Sequence, residues 1–114
     1  MKSRKELKQI FREMVFKMGV YQIRNITSNK VFIGSSTDLE RAWNGQRVRL
    51  DNGIHLNKAL QKEWREQGAS QFVYEIVEEL KDTADPATDY KTEVKILEEM
   101  VIAALQPFGD KGYH

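Results

Sequence analysis

Between residues 19 and 34 the side chains alternate with a period of two, the spacing that sends successive residues to opposite faces of a strand. Two β-prone runs, Gly19-Val20-Tyr21-Gln22-Ile23-Arg24 and Val31-Phe32-Ile33-Gly34, are separated by the polar, Asn-rich link Asn25-Ile26-Thr27-Ser28-Asn29-Lys30. This pattern predicts a β-hairpin. Alternation places Tyr21 with Ile23 on one face and Val20 with Gln22 on the other, and likewise separates Phe32 and Gly34 from Val31 and Ile33. Each strand therefore offers one aromatic ring to a common face.

The period changes to that of a helix on either side of the hairpin. Residues 3–17 place Leu7, Ile10, Phe11, Met14 and Val15 on one stripe, with Lys2, Arg4, Lys5, Lys8, Arg12 and Lys17 elsewhere around it, as in a basic amphipathic helix. After the hairpin, Thr37-Asp38-Leu39-Glu40 reads as a capping box that starts a helix, with Leu39 and Trp43 turned inward. Asn44-Gly45 is expected to end that helix, leaving residues 46–53 as a basic loop that carries Arg47 and Arg49. A further helix is predicted over residues 55–67, with Leu56, Ala59, Leu60 and Trp64 on its inner stripe and Gly68 as its stop.

Alternation returns at residues 71–78, predicting a third strand with Phe72, Tyr74 and Ile76 on one face. The loop of residues 81–88 contains Asp82 and Asp85, read as turn residues because their spacing, with Asp89, follows no calcium loop. A last helix over residues 89–105 carries Val94, Leu97, Val101 and Leu105, and Pro107 ends it. The order β-β-α-α-β-α predicts an α+β domain, a small three-stranded antiparallel sheet flanked by helices. The added helix is assigned to residues 1–17 and the domain itself to residues 18–114.

Composition narrows the class. A chain of 114 residues with 40% hydrophobic and 31% charged residues fits one globular domain. The absence of cysteine excludes disulfides and thiolate zinc sites. No apolar run has the length of a membrane span, and the first residues lack the apolar region of a signal peptide; a cytoplasmic location with no membrane association is the default expectation. The net charge of +1 hides an asymmetry: residues 1–50 carry 11 Lys/Arg against 4 Asp/Glu, and residues 51–114 carry 7 against 13. A basic first half suits a phosphate-binding surface, although the two charges can also interleave once folded.

Gly19-Val20-Tyr21, followed at about ten residues by Phe32-Ile33-Gly34, resembles the paired motif that names the GIY-YIG nuclease family. Further segments stand in that family's order: Asp38-Leu39-Glu40-Arg41-Ala42-Trp43, then His55-Leu56-Asn57-Lys58-Ala59-Leu60-Gln61, then Phe72-Val73-Tyr74-Glu75-Ile76, then Leu97-Glu98-Glu99-Met100-Val101-Ile102 and Gly112-Tyr113. The likeness covers residues 18–114 and is nearest in look to the small nuclease domain of intron-homing enzymes. It implies the same α+β architecture and an endonuclease that hydrolyses phosphodiesters of DNA with Mg2+ or Mn2+.

The resemblance also implies a site. Tyr21 matches the first tyrosine, Glu98 the glutamate that ligates the metal, and His55 a histidine of the homing branch. Three positions depart from the pattern: Phe32 replaces the second tyrosine, Ala42 falls where the arginine is expected, and Gln46 replaces a histidine or tyrosine one turn later. Arg41, next to Ala42, is the adjacent candidate for the catalytic arginine. The catalytic candidates are thus Tyr21, Arg41, His55 and Glu98, with Arg47, Arg49 and Lys30 as candidate nucleic-acid contacts. Losing one transition-state stabilising group costs about 10²–10³ in rate, so three readings follow: a nuclease with a rewired site, a nucleic-acid-binding module of the same fold without cleavage, and a small interaction protein.

Overall fold

The computed structural model describes residues 17–81 and 87–114. The amphipathic helix expected before the hairpin, save Lys17, and the acids Asp82 and Asp85 lie outside the described residues. Strand β1 (Met18–Asn25) pairs antiparallel with β2 (Val31–Ser36) and with β3 (Phe72–Leu80), so the sheet order is β2-β1-β3 and β1 is central. The hairpin link is closed by Asn25. Its backbone N–H donates to the Lys30 carbonyl at 2.9 Å, and its side-chain oxygen accepts from Thr27 N–H at 3.0 Å. Asn29 takes the left-handed conformation at φ 62°, which asparagine tolerates better than most residues.

Among the described residues three helices cover the sheet: α1 (Leu39–Asp51), α2 (Lys58–Gln67) and α3 (Tyr90–Leu105). On one face Tyr21, Ile23 and Phe72 meet Leu39 and Leu50 of α1 and Leu60 and Trp64 of α2, with Tyr113 from the C-terminal tail completing the core. Ile23, Leu39, Leu50 and Leu60 are almost wholly buried, each contributing about 1.5–3 kcal/mol relative to exposure. Val20 and Ile33, the alternate set, are buried on the opposite face, where α3 packs against β1 and β2 and buries Val94. An aromatic row, Trp64–Trp43–Tyr74–Tyr21, runs through the first layer with centroids 5.1–6.3 Å apart.

Four local expectations are corrected. Asn44-Gly45 does not end α1; the helix continues to Asp51, so Arg47 and Arg49 are helical rather than in a loop. A glycine inside a helix costs about 1 kcal/mol, and burial of Gln46 and Leu50 on the face that already holds Leu39 offsets it. The real stop is Gly53, at φ 74°: its N–H donates to Leu50, and Ile54 N–H donates to Arg49, the paired closing bonds of a glycine cap. Asp38, not Thr37, caps the helix start, accepting from Arg41 N–H at 3.1 Å. Helix α2 begins at Lys58 behind the cap Asn57, which leaves Leu56 outside the helix and 90% exposed. Strand β3 runs on to Leu80, two residues past the expected end; Ile76 pairs with Tyr21 on the same face as Phe72 and Tyr74, as expected, but is 44% exposed.

The tail after α3 returns to the open edge of β2. Tyr113 N–H donates to the Val31 carbonyl at 3.1 Å, and the Nε2 of His114 accepts from Ile33 N–H at 2.8 Å. Paired this way, part of an edge strand that would otherwise be exposed is covered.

Candidate active site

Tyr21 sits on the central strand opposite Gly34, and its ring lies across that glycine. Any side chain at Gly34 would overlap the phenol end of the ring. The missing Cβ is therefore the space that lets Tyr21 direct its hydroxyl into a cleft of about 460 Å³ between the hairpin and α1. Ser35 and Ser36 line one wall; Asp38, Arg41, Ala42, Gly45, Gln46 and Arg49 form the α1 side.

The phenol is held by a chain of hydrogen bonds whose direction is fixed. Asn57 N–H donates to Nδ1 of His55 at 3.0 Å, so the proton of the neutral imidazole is on Nε2. Nε2 lies 2.5 Å from Oε1 of Gln46, which accepts that proton. The other end of the amide is thereby left as a donor, and Nε2 of Gln46 reaches the Tyr21 hydroxyl at 2.7 Å. Tyr21 accepts this bond and keeps its own proton for the cleft.

Burial pushes the Tyr21 phenol above its ordinary value; the Gln46 bond and the Arg49 charge oppose that rise, and the Glu98 carboxylate adds to it. Burial lowers the His55 imidazole, and the Arg49 guanidinium lowers it further. Both groups are thus held neutral at neutral pH. His55 is 3% exposed and acts on Tyr21 only through Gln46.

Glu98 comes from the other face of the sheet, on α3. It is 9% exposed, with Ser35 Oγ donating to Oε1 at 3.1 Å and Lys95 Nζ facing Oε2 at 2.7 Å. Glu99, the next residue, is exposed. Because Ser35 also lines the cleft, one residue of β2 links the carboxylate to the space in front of Tyr21. Among the described residues no cluster of three or more His, Asp or Glu is arranged to hold a metal ion. Phe32 takes no polar part. It packs edge-on against His55 at 5.4 Å and stacked with His114 at 5.1 Å.

The structure brings Tyr21, Arg41 and Arg49 to one cleft, with Glu98 at its margin and His55 behind its wall. Two candidates are elsewhere. Arg47 lies over the Trp43 ring at 5.7 Å, and Lys30 pairs with Glu63 at 3.6 Å beside Tyr113. Ser35 and Lys95 were not singled out by the sequence, and Gln46 was read only as a replacement at a family position, not as a hydrogen-bond bridge. The shared place of Gln46 and Arg49 on the cleft wall was legible only through the spacing 42-45-46-49, one helical face, which is hidden once the helix is ended at Gly45.

Comparison with known proteins gives a consistent picture. Residues 17–111 match the GIY-YIG catalytic domain. Over 64 residues, 56% of this chain and 26% of the relative, the sequence is 38% identical to intron-associated endonuclease 1 of Enterobacteria phage T4. The chain thus spans about a quarter of that relative's length. Two solved structures of the catalytic domain of the intron endonuclease I-TevI are similar in fold. A mutant form has a TM-score of 0.71 at 30% identity, covering 87% of this chain and 93% of that one; the second has a TM-score of 0.69 at 33% identity, covering 85% and 96%.

Proposed function

This chain belongs to the GIY-YIG family, and from that premise we propose that it is an endonuclease domain that hydrolyses phosphodiester bonds of DNA with Mg2+ or Mn2+. The observation that carries the reading is the meeting of a neutral phenol and unpaired guanidinium groups in one open cleft, with the buried Glu98 carboxylate joined to its margin through Ser35. Among the described residues Arg41 and Arg49 form no ion pair, so their charges are available to a polyanion. The similar proteins are named as endonucleases, which supports the same assignment here.

The residues present fit a divalent cation at Glu98. A mostly buried carboxylate is a hard oxygen donor, and one such group together with waters and substrate phosphate is a common magnesium arrangement. The Lys95 ammonium, 2.7 Å from Oε2 and on a largely exposed side chain, marks where a positive charge is accommodated. When bound, the ion supplies charge neutralisation at the phosphate and a lowered pKa for water.

The chain's own groups do the rest. Tyr21, kept protonated by burial, accepts from Gln46 and donates into the cleft, which orients a water or a phosphate oxygen against it. His55 has no free lone pair, because Nδ1 is taken by Asn57 N–H, so its part is to fix Gln46 and through it the phenol. A guanidinium on the α1 wall binds the phosphate as charge accumulates on its oxygens.

The test is nicking of supercoiled plasmid with Mg2+ and with Mn2+, with DNA binding measured across a salt series. Metal-dependent nicking that Glu98→Gln lowers by at least about 10²-fold is the expected outcome, with Glu99→Gln far milder. The substitutions at Phe32, Ala42 and Gln46 favour a second reading, a DNA-binding module without cleavage. Salt-dependent binding without nicking in either metal would select it.

A further inference from the structure

The cleft contains a short residue where a long one would be needed to reach its interior. Ala42 lines the α1 wall and offers only a methyl group. Seven residues later on the same helix, two turns less about 20°, stands Arg49. Helical side chains lean toward the N-terminus and cover the turn before their own Cα, so a long residue at 49 is directed back along the wall toward Ala42.

The geometry follows that rule. The guanidinium of Arg49 lies over Gly45, with its two terminal nitrogens 3.7 and 3.8 Å from where a side chain at Gly45 would begin. Its charge acts on both the Tyr21 phenol and the His55 imidazole. Arg41 also lines the cleft, yet it sits in the first turn, where its N–H caps onto Asp38, and its charge is not among those that act on Tyr21 or His55. Arg47 is committed to the Trp43 face. Of the three arginines of α1, Arg49 alone combines a place in the cleft with an effect on both neutral groups.

Building on the hydrolytic reading of this site, we infer that Arg49 is the residue that holds the scissile phosphate, its guanidinium reaching from two turns down the helix into the space left open by Ala42. The fork of N–H donors on arginine suits two phosphate oxygens at once. Held against Tyr21, such a phosphate is presented to the water that the phenol orients. The assignment goes to Arg49 rather than to Arg41.

Two measurements test it. The first uses inorganic phosphate as the probe and needs no cleavage: NMR titration of the full chain should move the Arg49 side-chain, Gly45 and Tyr21 signals. Arg49→Ala should remove the shifts at Gly45 and Tyr21, and Lys62→Ala, an equal loss of charge on the exposed face of α2, should leave them. The second is single-turnover nicking at saturating DNA. Arg49→Ala is expected to lower the rate by about 10²–10³, Arg49→Lys to recover little of it, Arg41→Ala to cost less, and Ala42→Arg in the Arg49→Ala background to restore a part.

Phosphate shifts that persist in Arg49→Ala overturn the assignment. So does an Arg49→Ala variant that binds DNA more weakly but turns over at the unmodified rate when saturated, or an Arg41→Ala variant that loses more. If the unmodified protein does not nick DNA, the hydrolytic reading fails on that result; the titration still decides whether Arg49 is the phosphate-holding group of the cleft.

Discussion

The two walls of the cleft are built by different means. On the sheet side, Tyr21 is pinned by register: it faces Gly34 across the β1–β2 pair, and the ring fills the volume that a Gly34 side chain would need. Shifting that pairing by one residue would turn Tyr21 to the α3 face, so a chemical group there has no neighbouring position to move to. On the α1 side, residues 42, 45, 46 and 49 share one face, and a long side chain two turns away reaches the same space as a short-range one. The sheet wall therefore keeps its phenol in place, while the helix wall has Ala42 and Gln46 at the expected positions of charge and brings a guanidinium from Arg49. A strand fixes function to a residue; a helix face fixes it to a stripe.

The sharpest way to break this comparison is Tyr21→Phe, which removes the phenol from the wall that has no substitute. The ring and its packing against Tyr74 at 5.2 Å are kept, so the fold is expected to remain and the saturating nicking rate to fall by about 10²-fold or more. Thermal unfolding and single-turnover rates on the same preparation check both halves. A variant that retains its rate would mean that the sheet wall, too, has a stand-in, and the contrast between the walls would disappear.

How much of this was legible before the structure follows the same division. The hairpin, β3 and the central place of Tyr21 are readable because alternation with a period of two is a strong constraint over short runs, as in Tyr21, Ile23, Phe32 and Gly34. The helix wall was harder. Gly45 looks like a stop, and only the burial of Gln46 and Leu50 shows that tertiary packing overrides its local preference. Leu56 looks like a helix position because its spacing to Leu60 is correct, but Asn57 caps the helix after it. Glu98 is matched by its motif alone, and the sequence carries no sign of its burial beside Ser35. Nothing in an isolated glutamine signals that its amide will join a tyrosine to a histidine, because that role depends on three elements meeting in space.

Gln46→Leu tests that junction with a smaller expected effect. The substitution keeps the approximate volume and removes both ends of the bridge, leaving the buried His55 Nε2–H without its acceptor and the Tyr21 hydroxyl without its donor. Unsatisfied buried groups of this kind cost about 1–3 kcal/mol, measurable as a lower denaturation midpoint with an unchanged slope. Gln46→Glu sharpens the result. A carboxylate accepts from both partners, so it should retain the His55 bond while drawing the Tyr21 proton away from the cleft, with activity lost more than stability.

The smallest effect separates the walls by pH, since a histidine stands behind each. His55 supports α1 through Gln46, and His114 supports the sheet edge through Ile33 and the Phe32 ring. Burial lowers the pKa of both in the folded protein below the ordinary 6.5. The folded state then binds fewer protons than the unfolded state between those values, so stability increases with pH in that window. It is fully present above about pH 6.5, declines as pH falls through the folded pKa values, and levels off below them, with a slope no steeper than about 1.4 kcal/mol per pH unit for each histidine. Glu75, held low by the Arg24 bond, adds its own loss only further down, below about 4.5. Denaturation at a series of pH values from 8 to 5 (roughly the histidine range) should show the decline in the unmodified protein. His55→Gln should remove more of it than His114→Gln, because His55 is nearly inaccessible while His114 is exposed as a residue. An equal reduction from the two variants would mean that the α1 wall depends no more on its neutral histidine than the sheet edge does, and the Gln46 junction would lose its claim to be the part of the cleft most sensitive to acid.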